Sequence, residues 1–371
     1  MQSLNLLIKP ASGHCDMRCV YCFYEDVSDR REEKNRGMMS LETLEQIVKS
    51  ALTTAEVACT FGFQGGEPTL AGLPFFQTLM EFERRHNTKN IKISNTIQTN
   101  GLRIDEAWAS FLAKNDFLTG LSIDGQKEVH DRFRLDAAGK GTFNRSLRAA
   151  QILKAHSAQF NVLSVVTKPM AAHPDATYNF YRKNGLDFIQ FIPCMDELDA
   201  QANAHRHSLD AQSYGRFIAQ IFDLWYADFQ RGNAPSIRLF DNYIGMLMGY
   251  PPESCAMRGQ CTASLLIEAD GDVFPCDFYA LDEYKMGNIK TDAIQDMLTS
   301  VAANNFIAPS LTHDPACQAC PYFKLCRGGC RRDREVGGQL TLNRYCEAYK
   351  TLFTHALPRM MQIARVIGGR R

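Results

Sequence analysis

Short apolar runs alternate with segments of helical periodicity between residues 4 and 193, and this alternation restricts the fold more than any other feature. Each run is rich in β-favouring residues, and glycine, proline or asparagine turns interrupt the series. The runs predict strands at residues 4–9, 57–64, 91–98, 117–124, 160–167 and 187–193. Strand–helix–strand units form parallel sheets, and six units are too few for a closed eight-stranded barrel. The pattern therefore predicts an α/β fold with a partial (β/α)6 TIM-like barrel.

Residues that can carry chemistry follow these strands at their carboxyl ends. The loops at that end of a parallel barrel converge on one mouth, so we expect their side chains to lie close together. The residues concerned are Cys15, Cys19, Cys22, Gly65, Gly66, Glu67, Pro68, Asn100, Ser122, Asp124 and Cys194.

The loop after the first strand contains three cysteines in a C-x3-C-x2-C pattern, Cys15, Cys19 and Cys22, followed by Phe23-Tyr24. Three thiolates can hold three corners of a [4Fe–4S] cluster and leave the fourth iron open for a substrate. A zinc site with three thiolates is the alternative. It is disfavoured because no fourth ligand or hydrolytic base is evident nearby.

Eight further cysteines lie between residues 255 and 346. They surround a predicted hairpin at 264–274, whose turn is Asp270-Gly271, and the pattern C-x2-C-x5-C-x3-C that begins at Cys317. Thirteen cysteines in 371 residues are too few for a disulfide scaffold, so metal ligation is the better interpretation. Eight ligands suggest two four-cysteine sites, iron–sulfur or structural zinc.

The cysteine loop, together with Gly65-Gly66-Glu67-Pro68 after the second strand, resembles the radical S-adenosylmethionine (SAM) superfamily. The C-terminal cysteines resemble its SPASM extension. Within that group the chain is most similar to the anaerobic sulfatase-maturating enzymes, on motifs that include 63–73, Gln98-Thr99-Asn100-Gly101 and Phe274-Pro275-Cys276-Asp277. The resemblance implies a radical SAM partial barrel at 1–232, a SPASM domain at 233–348 and a C-terminal helix at 349–371.

The resemblance also implies the cofactors, S-adenosyl-L-methionine and three [4Fe–4S] clusters. Cys15, Cys19 and Cys22 would hold the first cluster. The two auxiliary clusters would be held by Cys255, Cys261, Cys276 and Cys330, and by Cys317, Cys320, Cys326 and Cys346. The expected contacts of S-adenosylmethionine are Tyr24, Gln64, Gly65, Gly66, Glu67, Ser122 and Arg145.

The implied reaction oxidises a Cys or Ser side chain of a sulfatase precursor to Cα-formylglycine. A 5′-deoxyadenosyl radical removes a Cβ hydrogen, a base takes a proton, and an auxiliary cluster takes an electron. Asp277, directly after Cys276, is the expected catalytic base. Another SPASM enzyme that forms a thioether or carbon crosslink on a ribosomal peptide is the alternative. Such enzymes usually carry an N-terminal leader-binding domain, and with only fourteen residues before Cys15 we expect none here. A non-catalytic iron–sulfur carrier is disfavoured by the open three-cysteine site.

The charge balance and the hydropathy pattern restrict the classes of molecule that this protein is expected to bind. Lys plus Arg (41) balance Asp plus Glu (41), which argues against nucleic acid, and no segment resembles a signal peptide or membrane span. We therefore expect a cytoplasmic protein whose partners are an unfolded sulfatase precursor, or its Cys/Ser motif peptide, and a flavodoxin- or ferredoxin-type reductant. The polar stretch 25–37 is expected to contribute no core residues. Cys59 is expected to be a buried apolar residue, and the role of Cys194 is open.

Overall fold

The computed structural model describes residues 3–198, 200, 204–336 and 339–368. Its strands are β1 (Ser3–Ile8), β2 (Met17–Cys19), β3 (Ala58–Phe63), β4 (Lys92–Thr99), β5 (Leu118–Ser122), β6 (Arg134–Asp136), β7 (Phe160–Val166), β8 (Phe188–Pro193), β9 (Ser236–Ile237), β10 (Leu265–Ile267), β11 (Asp272–Phe274), β12 (Gly287–Asn288), β13 (Glu335–Val336) and β14 (Gln339–Leu340). The six predicted strands are confirmed as β1, β3, β4, β5, β7 and β8, with small shifts at their ends.

Helices connect most of the strands. They are α1 (Phe23–Asp29), α2 (Leu41–Thr54), α3 (Leu73–His86), α4 (Glu106–Lys114), α5 (Lys127–Phe133), α6 (Phe143–Ala155), α7 (Lys168–Ala171), α8 (Pro174–Lys183), α9 (Ala211–Gln230), α10 (Arg238–Leu247), α11 (Cys255–Arg258), α12 (Ile294–Leu298), α13 (Val301–Ile307), α14 (Pro315–Gln318), α15 (Phe323–Cys326), α16 (Arg331–Arg334) and α17 (Cys346–Gly368). Short 3-10 helices span Pro68–Ala71, Asp277–Tyr279, Asp282–Tyr284 and Ala308–Leu311. The last three residues of the predicted C-terminal segment 349–371 lie outside the described residues.

The contacts divide the chain into two compact units. Unit 1 comprises the described residues of Met1–Ser122, Arg134–Phe160 and Thr262–Ile307. Unit 2 comprises those of Ile123–Phe133, Asn161–Cys261 and Ala308–Arg371.

The sheet of unit 1 brings three loops to one edge. Its strand order is β12-β11-β10-β1-β3-β4-β5, and β1, β3, β4 and β5 run parallel. The register pairs Ile8 with Phe63 and Phe63 with Ile97, so β1, β3 and β4 end near one level. The predicted hairpin is confirmed, because β10 and β11 pair antiparallel around Asp270 and Gly271. The loops that follow β1, β3 and β4 therefore start side by side.

Unit 2 is built around the long helix α9. Its strands β7, β8 and β9 are parallel neighbours. The side chains of Phe217, Phe222 and Trp225 on α9 are almost completely buried, so the aromatic face of this helix is part of the core. Among the described residues, no helix combines the length and the apolar character that a membrane span requires.

The expectation that the polar stretch 25–37 contributes no core residues is wrong. Val27 on α1 is 2% exposed and Arg31 is 5% exposed. Arg31 is buried because its guanidinium lies 2.6 Å from the carboxylate of Glu268, which is also buried. A charge can be removed from water when an opposite charge compensates it in this way. Charge content alone therefore did not predict exposure here.

A short two-stranded ladder, which the sequence pattern did not predict, holds the cysteine loop. Strands β2 and β6 pair antiparallel, with Met17 opposite Asp136 and Cys19 opposite Arg134. Strands of three residues are too short to show a periodic pattern in the sequence. The ladder fixes the backbone between Cys15 and Cys22.

Candidate active site

The three cysteines of the first loop lie at the carboxyl edge of the unit 1 sheet. Burial raises the pKa of the Cys15 thiol to about 12, and the charge of neighbouring Cys19 adds to this shift. The backbone N–H of Met17 donates to Cys15 Sγ at 3.4 Å. Cys22 directly precedes α1, and the amides of Glu25 and Tyr24 oppose the rise in its pKa that burial causes. Backbone donors therefore face the sulfurs of Cys15 and Cys22.

Asn100, which follows β4, is hydrogen-bonded to this loop. Its Nδ2 donates to Asp16 Oδ1 at 2.8 Å and lies 3.8 Å from Cys15 Sγ. Arg103 forms an ion pair with the same aspartate, at 3.1 Å. The position of Asn100 after a predicted strand was visible in the sequence, but the role of its side chain was not.

The glycines after β3 allow two loops to touch. Gly66 has φ +51°, and a Cβ there would lie 2.3 Å from the carbonyl oxygen of His14. A side chain at this position would therefore force the cysteine loop away. The next residue, Glu67, donates its backbone N–H to that carbonyl at 2.7 Å. The structure thus shows a close approach between two loops, and the expected contacts of Gly65 and Gly66 with S-adenosylmethionine stay predictions.

The side chain of Glu67 connects the loops that follow β3 and β4. Its Oε1 accepts hydrogen bonds from the hydroxyls of Thr69 and Thr99, at 2.6 and 2.8 Å. Its Oε2 accepts the backbone N–H of Asn100 at 2.8 Å. Burial raises the pKa of this carboxyl, and the hydrogen bonds oppose the shift. Both oxygens thus bind groups of the protein itself, and a cofactor contact of Glu67 remains a prediction.

Asp277, on the 3-10 helix after β11, lies beside two other predicted site residues. Gln64 Nε2 donates to Asp277 Oδ2 at 3.1 Å, and the Tyr24 hydroxyl donates to the same oxygen at 3.4 Å. The Cys276 sulfur is 3.6 Å from Oδ1. Burial raises the pKa of the Asp277 carboxyl, and the hydrogen bonds that it accepts offset only part of this rise. The structure therefore joins Tyr24, Gln64 and Asp277 in one cluster.

A buried ion-pair network contacts this cluster through the ring of Tyr24. Lys9 Nζ and Arg31 Nη1 each lie 2.6 Å from Glu268 Oε1. Lys9 Nζ is also 5.2 Å from the centre of the Tyr24 ring, within cation–π range. Burial acts to raise the pKa of Glu268, but the charges of Lys9 and Arg31 outweigh it and lower that pKa. In the sequence, this network is indicated by Lys9, a charged residue at the end of a mostly apolar predicted strand.

The side chains of Ser122 and Arg145, two further predicted site residues, contact residues outside the Asp277 cluster. Ser122 Oγ accepts a hydrogen bond from Gln98 Nε2 at 3.0 Å. Arg145 is half-exposed and pairs with Asp136 on β6 at 2.6 Å. Since β6 pairs with the cysteine loop, Arg145 contacts the ladder that supports it. The proposed cofactor roles of both residues stay predictions.

Four of the C-terminal cysteines are neighbours within unit 2. Burial raises the pKa of Cys326 to about 11, and the charges of Cys346, Cys317 and Cys320 add to the shift. These are the four ligands predicted for one auxiliary cluster. The composition of the donor set, four thiols and no other ligand type, fits a [4Fe–4S] cluster.

Three ligands predicted for the other auxiliary cluster are also neighbours within unit 2. Burial raises the pKa of Cys330, and the charges of Asp333, Cys255 and Cys261 add to the shift. The backbone N–H of Arg332 donates to Cys330 Sγ at 3.4 Å. Cys276, the fourth predicted ligand, belongs to unit 1. Its place in this ligand set remains a prediction.

No disulfide joins the thirteen cysteines, all of which the structure describes. Within the described ranges, no three His, Cys, Asp or Glu side chains converge closely enough to hold a single metal ion. A cubane cluster needs a wider spacing, because each thiolate binds its own iron. Cys59 and Cys194 are each 1% exposed, in keeping with an apolar role for Cys59. Burial raises the pKa of Cys194 to about 12.

Two sequence families match the chain. Residues 10–170 match the radical SAM superfamily, and residues 255–321 match the SPASM iron–sulfur cluster-binding domain. A cysteine-type anaerobic sulfatase-maturating enzyme of Clostridium novyi is 44% identical over 373 residues, which cover 100% of each chain. A serine-type enzyme of Bacteroides thetaiotaomicron is 30% identical and covers 96% of this chain and 90% of its own.

The chain also superimposes on solved structures. Native anSMEcpe with bound AdoMet and Cp18Cys peptide superimposes with a TM-score of 0.94 at 44% identity, and the match covers 98% of this chain and 99% of that one. The predicted fold, a partial (β/α)6 barrel with a SPASM domain, is therefore confirmed. On full-length identity of this order, the chain belongs to the anaerobic sulfatase-maturating enzymes and is a radical SAM oxidoreductase.

Proposed function

We propose that this protein oxidises a cysteine side chain of a sulfatase precursor to Cα-formylglycine. The observation that carries the proposal is the Asp277 carboxylate, which lies next to the predicted cluster ligand Cys276 and accepts hydrogen bonds from Gln64 and Tyr24. A base is needed beside an electron acceptor in this reaction, because a proton and an electron leave the substrate together. Identity of 44% to a cysteine-type relative, against 30% to a serine-type one, favours cysteine as the substrate residue.

The proposal includes three [4Fe–4S] clusters, with S-adenosylmethionine at the first of them. Their ligands would be Cys15, Cys19 and Cys22; Cys255, Cys261, Cys276 and Cys330; and Cys317, Cys320, Cys326 and Cys346. The predicted boundaries of the barrel, the SPASM domain and the C-terminal helix, at 232/233 and 348/349, belong to it as well. When bound, these groups supply a radical that removes the substrate Cβ hydrogen and an acceptor for one electron. The neighbouring thiols of Cys317, Cys320, Cys326 and Cys346 support this assignment.

Asp277 takes the proton from the substrate thiol. Burial raises the pKa of its carboxyl, which makes its carboxylate a stronger base than an exposed aspartate. Gln64 and Tyr24 hold one carboxylate oxygen in place and limit rotation of the side chain. Loss of a hydrogen atom, a proton and an electron converts the thiol to a thioaldehyde, and water then replaces sulfur to give the aldehyde and hydrogen sulfide.

The proposed partners follow from the same chemistry. The substrate is an unfolded precursor or its motif peptide, since a folded sulfatase would hold the target cysteine out of reach. A flavodoxin- or ferredoxin-type protein supplies the first electron. We assign the reaction to the cytoplasm because thirteen cysteines as thiols suit a reducing compartment.

Mass spectrometry of sulfatase-motif peptides tests the proposal. The anaerobically reconstituted enzyme, with S-adenosylmethionine and dithionite, is incubated with Cys, Ser and Ala versions of one peptide. We expect the Cys peptide to lose roughly 18 mass units and to react faster than the Ser peptide, which would lose roughly 2. The Ala peptide is the matched control. A mass change without aldehyde, or a crosslinked peptide, would instead identify a different SPASM chemistry.

A further inference from the structure

A basic surface pocket lies in unit 2, beside the predicted auxiliary-cluster cysteines. Its volume is about 670 Å³. Its lining residues, which define the basic pocket from here on, are Arg258, Gln260, His313, Phe323, Lys324 and Arg327. Three of these side chains carry a full positive charge, and none of the six is acidic.

The basic pocket is formed by the segments that carry the cluster ligands. Arg258 lies between Cys255 and Cys261, while Lys324 and Arg327 flank Cys326. The two segments are joined by His313, whose Nε2 lies 3.1 Å from the carbonyl oxygen of Gly259 and 3.0 Å from that of Arg327. A protein docked in the pocket would therefore contact residues adjacent in sequence to cluster ligands.

The positive charges of the basic pocket are not neutralised within the described part of the chain. Arg258 Nε donates to the carbonyl of Pro252 at 3.4 Å, and Arg327 Nε donates to that of Lys324 at 3.2 Å. Carbonyl contacts position a guanidinium but do not cancel its charge. By contrast, Arg344 in the same unit, whose side chain is 8% exposed, forms an ion pair with Asp196.

We propose that the basic pocket docks an acidic one-electron carrier protein, which takes the electron that leaves the substrate. The inference rests on the proposed function, because it requires a cluster at Cys317, Cys320, Cys326 and Cys346. One electron would pass from the cluster that these four cysteines would hold to the oxidised carrier, with no bond formed or broken between the proteins. Charge complementarity is the argument for this partner. The whole chain has a net charge of zero, so three unneutralised cations in one concave site form a local field that favours an acidic surface.

Electron transfer to a purified flavodoxin tests this pocket. The holoenzyme is reduced, freed of reductant and mixed anaerobically with oxidised flavodoxin in a stopped-flow instrument. The test variant is Arg258→Glu/Lys324→Glu, which reverses two exposed cations. The matched control is Lys183→Glu/Lys290→Glu, which makes the same charge change at exposed lysines elsewhere. Calorimetric titration with flavodoxin measures binding separately.

We expect the second-order rate constant of the pocket variant to fall about tenfold or more at low ionic strength, and the difference to shrink near 1 M salt. The control should change less than about twofold. Equal rate constants for the two variants would overturn the proposal. So would a pocket variant that binds flavodoxin normally but has a raised KM for the sulfatase peptide, since the pocket would then be a substrate surface.

Dithionite-driven turnover separates failure of this inference from failure of the proposed function. If wild-type enzyme forms no formylglycine with dithionite, the proposed function fails. If it does, and charge reversal leaves the flavodoxin kinetics unchanged, only the docking proposal fails. Iron and sulfide content must match the wild type in both variants. Should the double reversal lower it, Lys324→Gln removes a single charge and should give a smaller loss in the same direction.

Discussion

At the scale of single residues, the proposed chemistry depends on Asp277 and on how its neighbours hold it. Gln64 and Tyr24 donate to the same carboxylate oxygen, and Lys9 lies over the face of the Tyr24 ring. The lysine is itself fixed by Glu268. The orientation of the base is therefore supported through a chain of contacts that ends in a buried ion pair.

Asp277→Asn should separate the two halves of the reaction. The amide keeps the size of the side chain but cannot take a proton at neutral pH. We expect formation of 5′-deoxyadenosine to continue, while formylglycine formation falls by about 10²–10⁴-fold, the usual contribution of a general base. Chromatography measures the nucleoside, and mass spectrometry measures the peptide aldehyde.

Asp282→Asn is the matched control, because Asp282 follows on the same segment but its side chain is 39% exposed. It should leave both products near wild-type levels. A normal yield of formylglycine from Asp277→Asn, with cluster content intact, would show that another group takes the proton.

At the scale of elements, helix α3 and strand β4 meet through a buried polar pair. Glu83 and Asn95 are 4% and 6% exposed, and Asn95 Nδ2 donates to Glu83 Oε2 at 3.2 Å. Within the described residues, Glu83 Oε1 and Asn95 Oδ1 have no hydrogen-bond partner. Burial raises the pKa of Glu83 from 4.5 to about 7. Protonated Glu83 would carry the hydrogen that these two oxygens lack.

This pair should make the stability of the protein depend on pH. Because its pKa is higher in the folded state, Glu83 binds a proton more tightly there than in the unfolded chain. Its contribution to the free energy of unfolding is therefore fully present below pH 4.5 and falls as pH rises to about 7. Above that pH the carboxylate costs about 3 kcal/mol, from the size of the shift.

We expect Glu83→Gln to raise the urea midpoint at pH 8 and to change it little at pH 5. The neutral amide avoids burying a charge at any pH. Glu81→Gln, at an exposed position on the same helix, is the control and should have the same small effect at both values. Equal effects of Glu83→Gln at pH 5 and pH 8 would mean that this carboxyl does not titrate in the range.

At the scale of the whole molecule, the fold was predictable because its signals are local. Apolar runs and turn residues predicted β1, β3, β4, β5, β7 and β8, and cysteine spacing pointed to the family. The side-chain clusters were not predictable in the same way. Asp277 is 213 residues from Gln64 and 253 from Tyr24, so nothing local joins them. Arg31 appeared as surface charge because its buried partner, Glu268, lies 237 residues away.

The iron content of the whole chain tests the proposed number of clusters. Three [4Fe–4S] clusters require about twelve iron and twelve sulfide per chain after anaerobic reconstitution. Cys317→Ala/Cys326→Ala should lower both to about eight, because one auxiliary cluster loses two ligands. Elemental analysis and sulfide assays measure this directly.

Cys59→Ala is the control for the cysteine substitutions, because Cys59 is buried in β3 and should leave the iron content unchanged. A total of about four iron in the wild type would leave only the first cluster. Stoichiometric zinc would replace the auxiliary clusters with structural metal sites.

The contacts of Asp277 also determine when the active site can exist during synthesis. The ribosome makes Tyr24 and Gln64 early, but Asp277, which accepts hydrogen bonds from both, appears only after more than two hundred further residues. Glu268, which anchors Lys9, is separated from it by 259 positions. A nascent chain can therefore present the cysteines of the first loop before the cluster of Tyr24, Gln64 and Asp277 exists. The cluster, and with it the proposed base, can form only late in synthesis, because domains acquire long-range contacts only as the later segments emerge.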